Sequence, residues 1–176
     1  TLVLETGEVY TGQWSTGQWS GYGSYTWKQD GVVGSYRGQW HAGLKHGEGR
    51  LTISSGESFD GQWYNGEKHG EGKWMGENGD TFDGEWRKGE KHGEGRYEWA
   101  PSEDQPGRMY YDGQWCSDQR HGEGSFVCSN TLGESTDSYT GQWQFDRYHG
   151  EGVYRHRDKF YKGQWYEGNR QGPAAA

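Results

Sequence analysis

Apolar and polar residues alternate over short stretches of this chain, and the alternating pattern recurs seven times. Each copy has an aromatic residue, a glycine and a tryptophan two positions apart. A turn-like segment follows, and then, in six of the seven copies, two more alternating glycines. In the second copy these residues are Tyr36, Gly38, Trp40, Gly47 and Gly49. A period of two indicates a half-buried β-strand, and the density of glycine disfavours helix. Each copy is therefore predicted to be a β-hairpin.

The copies keep a fixed internal spacing. Their tryptophans lie 22 to 29 residues apart, and they are Trp14, Trp40, Trp63, Trp86, Trp115, Trp143 and Trp165. Such a period is the signature of a repeat array in which each repeat completes its core against its neighbours. We predict an all-β fold, a single-layer antiparallel meander of about seven hairpins and about fourteen strands, elongated, twisted and groove-forming. Residues 1–173 form the predicted array, which begins with a partial strand at Leu2 and Leu4, and residues 174–176 form a tail.

The composition changes the picture in one respect. Only 28% of the residues are hydrophobic and the net charge is −8, values that are typical of disordered chains. The 11 Trp and 13 Tyr residues compensate, because each such ring can bury about 150–250 Å². Glycine opposite an aromatic residue leaves room for a ring to lie over bare backbone, and we assign this role to the repeated glycines.

Three of the links between hairpins are longer than the others, at residues 28–35, 100–109 and 129–138. We predict that they lie along the same edge of the sheet, opposite the turns within the hairpins. Insertions gathered on one side of a repeat protein often form its binding rim. The two cysteines, Cys116 and Cys128, are too few for a disulfide framework and favour a reducing compartment.

Three ladders of polar residues follow the repeat, but they do not indicate an active site. Equivalent positions in successive hairpins are separated by two strands, about 9–10 Å, which is too far for shared zinc ligation. We expect the histidines to form hydrogen bonds near their turns and the charged residues to pair across strands in solvent. A catalytic site requires a singular arrangement, so we predict no enzyme, no metal and no cofactor. The ladders are His46, His69, His92, His121 and His149; Glu48, Glu71, Glu94, Glu123 and Glu151; and Lys45, Lys68, Lys91 and Arg120.

The net negative charge also limits the kinds of partner that the chain is expected to bind. With a pI near 5.3, the chain lacks the dense positive surface that phosphate contacts require, so nucleic acid is not an expected partner. The net charge likewise disfavours broad attraction to an anionic membrane. Binding of a single lipid headgroup at a basic edge stays open.

The repeated phrase resembles a known family. The run from Phe59 to Trp74 reads Phe-Asp-Gly-Gln-Trp-Tyr-Asn-Gly-Glu-Lys-His-Gly-Glu-Gly-Lys-Trp, and it is similar to the membrane occupation and recognition nexus (MORN) repeat almost throughout. The resemblance implies a groove-forming scaffold in cytoskeletal, ciliary and membrane-junction complexes, with frequent dimerisation. In some members it implies an attached catalytic domain. The first turn, at Ser15–Ser20, and the sixth, at Phe145–Tyr148, depart from the pattern.

These observations predict a cytoplasmic, cytoskeletal, ciliary or membrane-associated scaffold that binds a helical or extended protein segment along an aromatic groove. A homodimer is a further expected partner. Two alternatives remain open, a phosphoinositide-binding or membrane-tethering module and a recognition domain of a larger enzyme. It also stays open whether the rings pack only on the glycines and on one another. The predicted partner-binding residues are Tyr36, Trp40, Phe59, Trp63, Trp74, Phe82, Trp86, Tyr97, Tyr111 and Trp115.

Overall fold

The computed structural model describes residues 1–4 and 7–172, and these form strands joined by turns and loops, with no helix among them. The strands belong to a single antiparallel sheet in which spatial order follows chain order. They are β1 (Leu2–Val3), β2 (Val9–Ser15), β3 (Gln18–Gln29), β4 (Val32–His41), β5 (Leu44–Ile53), β6 (Ser58–Tyr64), β7 (Glu67–Met75), β8 (Thr81–Arg87), β9 (Glu90–Trp99), β10 (Met109–Cys116), β11 (Gln119–Ser129), β12 (Ser135–Gln144), β13 (Arg147–His156), β14 (Lys159–Tyr166) and β15 (Asn169–Gln171).

This topology confirms the predicted all-β antiparallel meander. The sheet has 15 strands, one more than the predicted fourteen, because β1 pairs with β2 through Leu2 and Val3. The predicted tail at 174–176 lies outside the described residues. The chain packs into two compact units, one made of Thr1–Gly79 with Glu85–Glu90 and the other of Asp80–Gly84 with the chain from Lys91 onward.

A β-bulge recurs within the hairpins. In β4 and β5, Tyr36 pairs with Leu51 and Gly38 with Gly49, and the register then shifts so that Trp40 pairs with Lys45. Equivalent shifts interrupt the hairpins β2–β3, β6–β7, β10–β11 and β12–β13. Across the shift the second strand has two more residues than the first, so the side chains beyond it keep their faces while the ladder is locally interrupted.

The core consists of aromatic rings on one side of each hairpin. Tyr36 is 1% exposed, and its ring lies so close over the backbone of Gly49 that a Cβ there would overlap it. Trp40 of the same hairpin and Trp63 of the next meet this ring nearly at right angles, with centroids 5.0 and 5.4 Å away. Edge-to-face pairs at this separation are favourable, and the role predicted for the second glycine of each pair is confirmed at Gly49.

The longer links differ in structure from one another. Residues 28–35 extend β3 and β4 and leave only a two-residue turn, Asp30 and Gly31, with φ of 51° and 84°, as a type I′ hairpin turn requires. Residues 100–108 and 130–134 are loops instead. In the second unit these two loops are neighbours, since the backbone N–H of Ser129 donates to the carbonyl of Arg108 at 2.9 Å.

Candidate partner-binding face

We call the side of each hairpin that carries its buried aromatic residues the core face, and the opposite side, which carries Gln39 and Glu48, the outer face. The structure places the ten predicted binding residues on the core face, but not as an exposed groove. Eight of them are buried, with at most 6% of their surface exposed: Tyr36, Trp40, Phe59, Trp63, Phe82, Trp86, Tyr111 and Trp115.

This burial has a simple cause. The first-strand rings lie over glycine backbone, and those of Tyr36, Phe59 and Tyr111 are each enclosed by two tryptophans. The rings therefore cover one another without a second layer. The structure thus gives the eight residues a packing role, as in the alternative interpretation that the rings pack on glycines and on one another. Their participation in binding remains a prediction. Trp74 and Tyr97, the other two predicted residues, are only partly buried.

The accessible apolar surface of the core face comes from the second strand of each hairpin, beyond the Gly-x-Gly pair. In the first unit Tyr25 and Trp27 stack at 5.3 Å. In the second unit Trp99 contacts Tyr97 at 4.8 Å and Phe126 at 5.9 Å. All five rings are partly exposed. Sequence reasoning included Tyr97 but missed the other four, although their alternation with polar residues after the second glycine was a usable signal.

A row of cations covers the tryptophans on this face. Within the first unit the Nζ of Lys45 lies 4.1 Å from the ring of Trp63, and that of Lys68 lies 4.9 Å from Trp86. Within the second, Arg120 lies 4.5 Å from Trp143. Burial, followed by the charge of Lys68, lowers the pKa of Lys45. These contacts are cation–π interactions on the core face, which the sequence analysis did not predict. The expected charge pairs also occur, because Lys91 and Arg120 each pair with an aspartate.

On the same face, two aspartates hold the cations of the second unit in place. Asp118 Oδ1 accepts a hydrogen bond from the backbone of Lys91 and pairs with its Nζ, both at 3.0 Å. Asp146 holds Arg120 in the same way, with Oδ1 3.0 Å from the backbone nitrogen and 2.9 Å from Nε. Each carboxylate therefore tethers the cation of the preceding hairpin in the second unit.

Other acidic residues accept hydrogen bonds from the half-exposed rings. Tyr97 donates to Asp80 at 2.6 Å, Tyr154 to Asp137 at 2.7 Å, and the indole of Trp74 to Glu57 at 3.1 Å. Burial, with the bond to Asp137 as the next cause, raises the pKa of Tyr154 to about 12. Burial and Asp80 raise that of Tyr97 further. These phenols therefore stay protonated at neutral pH and orient their rings through the carboxylates.

The second unit contains a cavity of about 350 Å³ on its core face. Its walls combine aromatic rings with the tethered ion pairs, a combination that suits an amphipathic ligand. Two of its lining residues, Tyr97 and Trp115, were among the predicted binding residues. The lining is Lys91, Tyr97, Trp99, Trp115, Asp118, Arg120 and Asp146.

On the outer face, glutamine and glutamate form a different network. Gln39 Oε1 accepts the backbone N–H of Glu48 at 3.0 Å, which satisfies a donor near the bulge. Gln62 Nε2 donates to Glu48 at 3.1 Å, and Gln114 Nε2 to Glu94 at 3.0 Å. The expected cross-strand partner of these glutamates was a charged residue, but the observed partner is the amide of the next hairpin.

The histidine ladder lies among rings on the outer face. His46 contacts Tyr64 at 5.2 Å and His41 at 5.5 Å, and His149 contacts Tyr166 at 5.5 Å. The Nδ1 atoms of His46 and His121 are buried without a hydrogen-bond partner, so the expected local hydrogen bonds are not made by these atoms. Among the described residues, no three His, Cys, Asp or Glu side chains are grouped to hold a metal ion.

Among residues 1–4 and 7–172, the structure contains no helix that is long and apolar enough to span a membrane.

Comparison with protein families matches the MORN repeat model seven times, at residues 10–32, 36–58, 59–81, 82–102, 111–131, 139–159 and 161–174. A search of curated proteins finds no match.

Proposed function

The chain belongs to the MORN repeat family, and we propose that it is a non-enzymatic scaffold that holds a segment of a partner protein on its core face. Repeats of this family are generally modules that bind proteins or membranes, and the family is not an enzymatic one. The observation that carries the proposal is the band of half-exposed rings beside tethered ion pairs, best developed around the 350 Å³ cavity of the second unit.

The chemistry of this band indicates the kind of partner. Tyr and Trp provide a large contact area with few rotors to immobilise, which favours them in binding hot spots. Asp118 and Asp146 are about half exposed beyond their ion pairs, at 51% and 43% of their side chains. A helical or extended segment with apolar side chains and a few basic ones would match both features.

Photo-crosslinking tests which face binds. A benzophenone amino acid would replace Phe126 on the core face or its neighbour Ser125 on the outer face. Leu51 and Arg50 form a second matched pair. We expect crosslinks to the same cellular protein from positions 51 and 126 and few from 50 and 125. Equal crosslinking from both members of each pair would contradict the proposal.

Substitution then measures how much the half-exposed rings contribute to the affinity for the partner. With the crosslinked partner purified, Tyr97→Ala combined with Trp99→Ala should weaken binding at least tenfold, because hot-spot aromatics contribute about 2 kcal/mol or more each. The control is Tyr64→Ala, which removes a ring from the outer face that is 55% exposed. Isothermal titration calorimetry gives the affinities, and circular dichroism checks that each variant is folded. An unchanged affinity in the folded double variant would remove the cavity from the binding site.

A membrane-tethering function gives a different result. Retention of the chain by vesicles containing phosphatidylserine or phosphoinositide, together with no crosslinked protein from positions 51 and 126, would favour that function instead. The proposed setting is the cytoplasm, in cytoskeletal, ciliary or membrane-associated complexes, and it is supported by the family resemblance alone. Dimerisation and a role as the recognition domain of a larger enzyme are likewise supported by the family resemblance alone.

A further inference from the structure

The two loops of the second unit are joined into one structure. The carbonyl of Arg108 accepts hydrogen bonds from both the backbone N–H and the hydroxyl of Ser129, at 2.9 and 3.0 Å. Gln105 Nε2 reaches across to the carbonyl of Ser129 at 3.3 Å. Gly107 is buried, and a Cβ there would overlap the backbone of Ser129. The loops therefore approach as closely as the backbone allows.

Between the loops and the sheet lies a cavity of about 510 Å³, which we call the loop cavity. Its floor is formed by neighbouring outer-face residues, since Tyr110 pairs with Glu98 on one side and Val127 on the other. Its size falls within the range of about 300–1,000 Å³ that is usual for ligand sites. The complete lining is Glu98, Trp99, Pro101, Pro106, Gly107, Arg108, Tyr110, Val127, Ser129, Asn130, Thr131, Gly133 and Ser135.

The charges in this lining neutralise each other. Its ionised side chains are Glu98 and Arg108, and they form two hydrogen bonds with each other, from Nε at 2.5 Å and from Nη2 at 3.1 Å. Bidentate pairing of this kind satisfies both groups. A charged ligand would have to break the pair or remain without a counter-ion, so an uncharged occupant fits best.

The lining also contains two aromatic rings, Tyr110 and Trp99. The guanidinium of Arg96 lies 3.8 Å from the centroid of Tyr110, and that of Arg108 lies 5.4 Å from it, so the phenol is held in place by two cations. Trp99 is fixed by Tyr97 and Phe126. Throughout the part of the chain that the structure describes, neither Tyr110 Oη nor Trp99 Nε1 has a hydrogen-bond partner, and both can donate to a ligand.

From this geometry we propose that the loop cavity binds an uncharged, proline-containing extended segment of a partner. Prolines preset the polyproline II conformation, so such a segment loses little conformational entropy on binding. Its tertiary amides offer carbonyl acceptors without N–H donors, which matches a lining that presents free Tyr and Trp donors. Aromatic grooves are the surfaces on which proline-rich segments dock. The floor of this site lies on the outer face, opposite the proposed scaffold surface, and Trp99 lines both cavities. The proposal does not depend on the scaffold function, because Tyr110 lines only the loop cavity.

The test uses an array of uncharged decapeptides with prolines at varied spacing and a second array with every proline replaced by alanine. We expect the protein to bind members of the first array and not their counterparts in the second. The best binder, labelled with fluorescein, then gives dissociation constants by fluorescence anisotropy. Tyr110→Phe removes one donor and keeps the ring, and Trp99→Phe removes the indole donor and leaves a smaller ring. Each should weaken binding severalfold, and the double variant should weaken it at least tenfold.

Trp27→Phe is the matched control, because Trp27 occupies the equivalent position in the first unit and does not line the loop cavity. It should bind as the wild type does. The indole N–H signal of Trp99 in an NMR spectrum should also shift on binding. Absence of any proline-dependent binder would overturn the proposal. Binding that the Tyr110→Phe, Trp99→Phe double variant leaves unchanged, or that Trp27→Phe weakens equally, would also overturn it.

Discussion

At the scale of the residue, the repeated glycines have two distinct physical roles. Gly49 has an ordinary backbone conformation and is required because the ring of Tyr36 occupies the space of its Cβ. Gly47, two residues earlier, has φ of 59°, a left-handed conformation that costs other residues about 1–2 kcal/mol. The amide of Gln39 also fills the space of its Cβ. Both glycines belong to the repeated Gly-x-Gly pair, but only the role of Gly49 was predicted.

Substitution of Gly49 tests the first role. Gly49→Ala should lower the free energy of unfolding by about 1–3 kcal/mol, because the added methyl group displaces the ring of Tyr36. Gly43→Ala is the control, since this turn glycine has open space at its Cβ and only the left-handed strain of its φ of 79°. Urea unfolding followed by circular dichroism measures both. A midpoint for Gly49→Ala equal to that of the wild type would show that the ring does not rest on this backbone.

A second prediction at this scale concerns acid stability. Partial burial of Asp137 acts to raise its pKa, but hydrogen bonds from His156 and Tyr154, the charge of His156 and a bond from Thr136 together lower it. A carboxyl whose pKa is lower in the folded state adds stability above its unfolded pKa of about 3.9 and loses it as the pH falls through the folded value. Asp137 therefore contributes to acid unfolding below about pH 4.

Asp137→Asn should consequently reduce the thermal midpoint at pH 6 and flatten its decline between about pH 4 and pH 2. The control is Asp60→Asn, whose carboxylate is 64% exposed and 3.9 Å from Arg50. Differential scanning calorimetry across this pH series gives the midpoints. Parallel curves for Asp137→Asn and the wild type would contradict the assignment.

At the scale of the element, each hairpin is attached to the preceding one by more than the strand ladder. The indole of Trp63 donates to the carbonyl of Gly49 at 2.9 Å, and the turn N–H of Gly66 donates to the carbonyl of Lys45 at 2.8 Å. In the second unit, Trp115 donates in the same way to Gly95 at 2.9 Å. The indole bonds lie on the core face, and the backbone bond lies at the turns. A hairpin therefore contributes its tryptophan to the core of the preceding hairpin.

Trp63→Phe should therefore destabilise the array by about 1–3 kcal/mol, through the lost hydrogen bond and the smaller ring. Trp14→Phe is the matched control, because Trp14 is 45% exposed and should change the stability by less than about 0.5 kcal/mol. Chemical denaturation measures the difference. Equal effects of the two substitutions would mean that the indole bond does not couple the hairpins.

At the scale of the whole molecule, the sequence alone predicted the hairpins, their order and the face that the aromatic residues of the repeated motif occupy. The strict spacing made this possible, because a period of two fixes the face and seven copies fix the topology. It did not predict how deeply Tyr36 or Trp63 would be buried, because a single sheet was expected to leave one face of rings open. The ring of Tyr36 is instead enclosed by Trp40 and Trp63.

Two further features of the candidate sites could not be predicted from the sequence. Lys45 lies over the ring of Trp63 on the core face, beside a register shift between Gly38 and Trp40 that no residue type signals. The loop cavity depends on hydrogen bonds between Ser129 and Arg108, which join segments that are 21 residues apart. The loops were predicted to share an edge, but their contact could not be read from composition.

The measurement that tests the central claim most directly is the NMR chemical shift of the glycine Hα protons. A ring lying flat over a glycine shields those protons, and the structure places rings over Gly49, Gly72, Gly95, Gly124 and Gly152. We predict strong upfield shifts for these five and ordinary values for Gly43 and Gly89, which face open space. Ordinary shifts at all seven glycines would contradict a core built from rings on bare backbone.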